Sequence, residues 1–176
     1  FMGLGEPLAN YEQVMRAVDL AMADNKPMLA VCLAVAWPSA ARMGDAMQLA
    51  WTDVEISPTA RSDGLTDASI LFRRGKGVRM RGTPYSVPIL LGPRTSEILR
   101  QTRQLADSDY LCPAPTRRDR EARLTEIRAL LRRVDQRLSL HSIRRGALIE
   151  AARAGVPEAA LLLLSGHASL VSLPAR

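Results

Sequence analysis

The sequence predicts an α+β fold: mainly α-helical with a small antiparallel β-sheet. Three observations carry this. Capping residues recur ahead of segments whose apolar residues repeat at helical spacing. One short alternating stretch, 68–73, is followed by a glycine turn and a further strand-like segment, 85–90. The chain of 176 residues, 47% hydrophobic, has enough apolar material for one compact core.

The elements follow in order. Asn10 is placed to cap a helix to about residue 23, with Val14, Ala17, Val18 and Ala21 on one face. Asp24-Asn25 breaks it, and Pro27 suits the first turn of a second helix over 28–37, apolar nearly all round and therefore central. Pro38-Ser39 ends that helix, and Ser39 is expected to cap a third over roughly 40–50. Residues 56–67 are polar and read as a loop. Residues 68–73 form a strand with Ile70 and Phe72 on one face, 75–77 a turn, and 78–81 a returning strand. Gly82-Thr83-Pro84 breaks it, and 85–90 is a further strand that Pro88 confines to an edge. Gly92-Pro93 opens a helix over 94–106, and a loop fills 107–115. Thr116 caps a long charged helix to about 137, with Leu124, Ile127, Leu130, Leu131 and Val134 as its apolar stripe. Ser139 leads into the helix of His141. Gly155 ends that helix, Pro157 starts the next, and 159–164 is apolar enough to belong in the core. No internal repeat or low-complexity linker is visible.

A net charge of +6 and a pI of about 10.1 favour a polyanionic partner such as nucleic acid. The basic residues are 22 Arg against only Lys26 and Lys76. A GC-rich genome accounts for the total, so position must decide which arginines grip phosphate. Cys32 and Cys112 read as buried thiols of a reducing compartment. Neither belongs to a cluster with metal-ligand spacing, and no metal or cofactor is expected. The apolar run 29–37 is too short to span a bilayer, and no signal peptide precedes it. A soluble intracellular protein is expected, in prokaryotic cytoplasm or a eukaryotic nucleus, with no membrane partner. Phe1 precedes Met2, so a fragment is expected.

Four phrases stand out. His141 and Arg144 form His-x-x-Arg, and His167 closes Leu-Ser-Gly-His; these are the chain's two histidines. Arg42 and Asp45 lie three apart, followed by Leu49-Ala50-Trp51-Thr52-Asp53-Val54. The basic stretch 73–81 carries Gly75-Lys76-Gly77, with Val87-Pro88-Ile89 downstream. Taken singly each has a bland meaning: a surface ion pair, a solvated turn, a structural helix histidine. The glycine turn also lacks the Gly-Lys-Ser/Thr ending of a nucleotide-binding loop.

In this order the phrases resemble the catalytic domain of the tyrosine recombinases, the phage integrase family, over nearly the whole chain. The resemblance implies the integrase-like catalytic core of DNA breaking-rejoining enzymes, in one domain over 1–176. It implies site-specific DNA recombination by transesterification through a 3′-phosphotyrosine, acting on double-stranded DNA as a dimer or tetramer and often serving mobile elements. Arg42 and Arg144 would clamp the phosphate, and Asp45 would hold Arg42 by a charge-assisted hydrogen bond. Lys76 would protonate the leaving 5′ oxygen, since cationic neighbours lower a lysine's pKa. His141 and His167 would donate hydrogen bonds to the phosphate. Arg73, Arg74, Arg79, Arg81 and Arg145 are candidates for contacts to the DNA backbone.

Two departures qualify the resemblance. No tyrosine follows His167, where the family places its nucleophile; Tyr11, Tyr85 and Tyr110 lie in other contexts and are assigned no special role. The N-terminal helical domain that clamps DNA in the family is likewise not expected within these residues. The chain is therefore expected to be a fragment lacking that core-binding domain and the tyrosine segment, inactive alone. The alternatives are a catalytically inactive DNA-binding module of the same descent and a type IB topoisomerase-like enzyme.

Overall fold

The computed structural model describes residues 8–165. In chain order it contains α1 (Tyr11–Ala23), α2 (Pro27–Ala36), α3 (Met43–Ala46), a 3₁₀ turn (Trp51–Asp53), β1 (Val54–Ile56), β2 (Thr66–Phe72), α4 (Lys76–Arg81), β3 (Tyr85–Leu91), α5 (Pro93–Leu105), α6 (Arg117–Val134), α7 (Leu140–Arg153) and α8 (Glu158–Ser165). It is a helical domain with one three-stranded antiparallel sheet, order β1-β2-β3.

The helix starts are set by local chemistry. Asn10 and Gln13 exchange side-chain hydrogen bonds with each other's backbone N–H at 2.9 and 3.1 Å. Thr116 with Asp119 and Ser139 with Ser142 cap α6 and α7 in the same reciprocal way. Gly155 takes φ +86 just after α7, which ends the helix. Residues 29–36 of α2 are all buried, and α1 and α5 pack against it. Cys32 and Cys112 are both buried, and the hydrogen bond between them and burial hold the Cys32 thiol well above its ordinary pKa.

β2 turns Ala68, Ile70 and Phe72 inward, and β3 turns Val87, Ile89 and Leu91. Their register pairs Phe72 with Tyr85 and Thr66 with Leu91. A slip of one residue would expose these side chains, each worth ~1.5–3 kcal/mol when buried, so the register is firmly fixed. Pro88 lies on the edge strand, as its missing N–H requires.

Four expectations need correction. The helix expected over 40–50 is only the single turn Met43–Ala46. Leu49 and Trp51 leave it because their backbones bond to Leu111 and Asp109 instead. Residues 78–81 are not a strand but part of the helix Lys76–Arg81, bracketed by Gly75 at φ +100 and Gly82 at φ +75. The loop expected over 56–67 is shorter, since Val54–Ile56 pairs with β2 as a third strand. In α8, Leu161 is buried but Leu163 is 72% exposed, because a two-turn helix lies on the body by one face only.

Candidate functional site

The site is built around Asp45, which is 4% exposed. Its two carboxylate oxygens accept the backbone N–H of Lys76 at 2.8 Å and of Gly77 at 3.0 Å. These are the first donors of α4, which have no partner within their own helix. A carboxylate 31 residues upstream therefore caps α4 and explains why 76–81 is helical. A Cβ at Gly75 would stand 2.3 Å from Asp45 Oδ1, and its φ of +100 also demands glycine. The expected hydrogen bond from Arg42 to Asp45 is not formed. Arg42, extended at the start of α3, instead reaches Met80 Sδ at 3.6 Å.

Arg144 comes from the buried face of α7. Another side of α7 is pressed against the chain before α1: a Cβ at Gly146 would sit 2.0 Å from the Ala9 carbonyl oxygen. Arg144 is 4% exposed and donates to the carbonyls of Ala40 and Ser165. Burial, and then the Arg42 charge, bring its pKa down to about 10, so it stays cationic at neutral pH. An arginine has more N–H donors than these two carbonyls use.

Arg81 and Tyr85 form the remaining wall. The Arg81 guanidinium lies 3.7 Å from the Tyr85 ring centroid, donates to Gly77 O at 3.3 Å, and donates to Leu163 O on α8. Tyr85 also stacks on Phe72 at 5.1 Å. The point where a Gly77 Cβ would be lies 2.7 Å from Tyr85 Oη, 3.0 Å from Asp45 Oδ2 and 3.3 Å from Arg81 Nη1. Burial raises the Tyr85 pKa and Asp45 adds to it, while Arg81, Arg144 and Arg42 pull it down.

Among the described residues, none of Arg42, Arg81, Arg144 and Lys76 forms an ion pair with a carboxylate. The nearby acid, Asp45, spends its oxygens on the backbone. Guanidiniums gathered with so little compensation leave a local surplus of positive charge that suits an anion. An adjoining groove of about 980 Å³, with Arg81 and Tyr85 on its wall, is otherwise largely apolar.

The other expected residues are distributed as follows. Lys76 opens α4 with its side chain exposed, anchored through its backbone. His141 is exposed, one turn before Arg144 on α7. His167 lies outside the described residues. Arg73 is engaged by the buried Asp53 at 2.7 Å, and Arg74 by the Tyr110 hydroxyl at 3.1 Å. Arg79 is exposed and Arg145 half-buried. No cluster of metal-ligating side chains occurs among the described residues, and none of their helices is long and apolar enough to cross a membrane. Tyr85, assigned no role from its sequence context, stands against the cluster. Its only signal in the sequence is its place a few residues after the basic stretch 73–81.

This architecture is an integrase-like catalytic core fold. The solved structures it matches include the XerA recombinase, at TM-score 0.63 and 17% identity, over 94% of this chain and 57% of that one. XerH site-specific recombinase, bound to a palindromic difH substrate, matches at TM-score 0.60 and 16% identity, over 94% and 48%. The Tn1549 transposon integrase, in complex with circular intermediate DNA, matches at TM-score 0.58 and 11% identity, over 96% and 60%. The likeness is one of fold, and the chain spans about half the length of these proteins. No protein-family model matches the sequence, and no curated protein does.

Proposed function

We propose that this chain is the catalytic core of a tyrosine recombinase, cutting and rejoining double-stranded DNA. The observation that carries the reading is the cluster of Arg42, Arg81 and Arg144 without carboxylate partners, on a fold shared with recombinases. A phosphodiester supplies the missing negative charge. In-line attack by a phenolic oxygen on phosphorus gathers extra charge on the non-bridging oxygens, and Arg42 and Arg144 stabilise it there. As the bond to the 5′ oxygen breaks, Lys76 supplies the proton that oxygen needs, and His141 donates to the phosphate from the first turn of α7. His167 is assigned the same donor role. None of Tyr11, Tyr85 and Tyr110 is assigned the attack, and the phenol is taken to be supplied from outside this sequence. The working unit on DNA is a homo-oligomer.

The test uses the protein expressed from its whole reading frame, with a nicked suicide duplex that traps the covalent intermediate. A protein–DNA adduct is expected, with Arg144→Ala and Lys76→Ala slower by ~10²-fold or more. A second reading is a DNA-binding module that does not cut. Duplex binding without any adduct would support that reading and overturn the first.

A further inference from the structure

We propose that the Tyr85 hydroxyl donates a hydrogen bond to the same phosphate that Arg42 and Arg144 hold, with Arg81 as the residue that positions its ring. The proposal rests on the recombinase reading and adds to it a contact from β3.

Four observations carry it. The hydroxyl oxygen points to where Asp45 Oδ2 and Arg81 Nη1 also converge, around Gly77, so it borders the arginine cluster. It makes no hydrogen bond among the described residues, and it is not sealed in: Trp51 Nε1 is the only closed-off side-chain polar atom without a partner there. The ring alone would satisfy the sheet, because stacking on Phe72 and under Arg81 needs no hydroxyl. The oxygen is thus unspent, not sealed in, and beside the arginine cluster. Lastly, Arg81 is held at three places, by Gly77 O, by Leu163 O and by the Tyr85 ring, so it fixes the ring's direction.

Charge decides which role the phenol takes. Burial keeps it protonated at neutral pH despite the nearby guanidiniums, and a protonated phenol is a donor. The other tyrosines are occupied elsewhere: Tyr110 accepts from Arg74, and Tyr11 packs beside Trp37. Glycine at position 77 is part of the same arrangement, since any Cβ there would fill the space before the hydroxyl.

The experiment labels the tyrosines with ¹³C at Cζ, assigns each signal by a Tyr→Phe variant, and adds a short duplex DNA. The Tyr85 signal is expected to move on binding while Tyr11 stays. Tyr85→Phe is expected to weaken duplex binding on the order of tenfold, the usual scale for a hydrogen bond to a charged group. Arg81→Gln is expected to shrink the movement of the Tyr85 signal, which a purely structural arginine would leave unchanged. If the parent binds DNA, Tyr85→Phe binds equally well and the Tyr85 signal is still, the proposal is overturned and the recombinase reading stands. If the parent binds no duplex, the recombinase reading fails and this contact falls with it. A covalent DNA adduct mapped to Tyr85 itself would also overturn the donor role, making Tyr85 the nucleophile.

Discussion

Asp45→Asn tests the keystone of the site. The substitution keeps the shape but leaves one acceptor oxygen where two are now used, by Lys76 N at 2.8 Å and Gly77 N at 3.0 Å. The new amide NH₂ faces a backbone N–H, so one donor beside a buried glycine loses its partner. A hydrogen bond to a charged group contributes ~1.5–3 kcal/mol, and a stranded buried donor adds to the loss, so about 2–4 kcal/mol of stability should go. Removing the Asp45 charge, the one carboxylate among the described residues that acts on Arg144, works in the same direction. Six residues cannot sustain a helix unaided, so α4 should open locally as well. Urea unfolding reads the global loss, and trypsin reads the local one, because Lys76, Arg79 and Arg81 are all cleavage sites. Unfolding free energy within about 0.5 kcal/mol of the parent, with unchanged tryptic cleavage, would refute the capping argument.

Gly146→Ala should destabilise the chain by ~1–3 kcal/mol, read by urea unfolding, because its Cβ collides with the Ala9 carbonyl and that backbone must shift. Arg79→Ala should leave folding intact and lower the slope of log affinity for duplex DNA against log salt by about one, equally for unrelated sequences. An unchanged slope removes Arg79 from the DNA contacts. Arg137 hydrogen-bonds hold the Asp135 carboxyl at about 2, below its ordinary range. The stability this gives is present above the ordinary value near 3.8 and lost as pH falls toward 2. Arg137→Gln should therefore flatten thermal stability against pH in that window.

What the sequence revealed was what neighbouring residues decide. Asn10, Thr116 and Ser139 cap helices through partners three residues away, so their signals are readable in place. Ile70 and Phe72 alternate with half-buried residues, so the inward face of β2 was readable too. The α3–α4 region was not, because its conformation is set at a distance. Asp45 caps a helix 31 residues on, and Leu49 and Trp51 pair with Leu111 and Asp109. Arg42 and Arg144 could be picked out because their phrases resemble known ones. Their proximity depends on α7 closing over the chain near Ala40. Tyr85 could not be picked out, since only the register with Phe72 and the gap at Gly77 bring its hydroxyl to the cluster. Conversely, Arg73 looked available, and only the fold shows Asp53 holding it.

The most direct test of the central claim is a crystal structure of this chain with a short DNA duplex. A backbone phosphate should lie between Arg42 and Arg144, within hydrogen-bond reach of both guanidiniums. DNA bound on another face, with those two guanidiniums touching no phosphate, would contradict it.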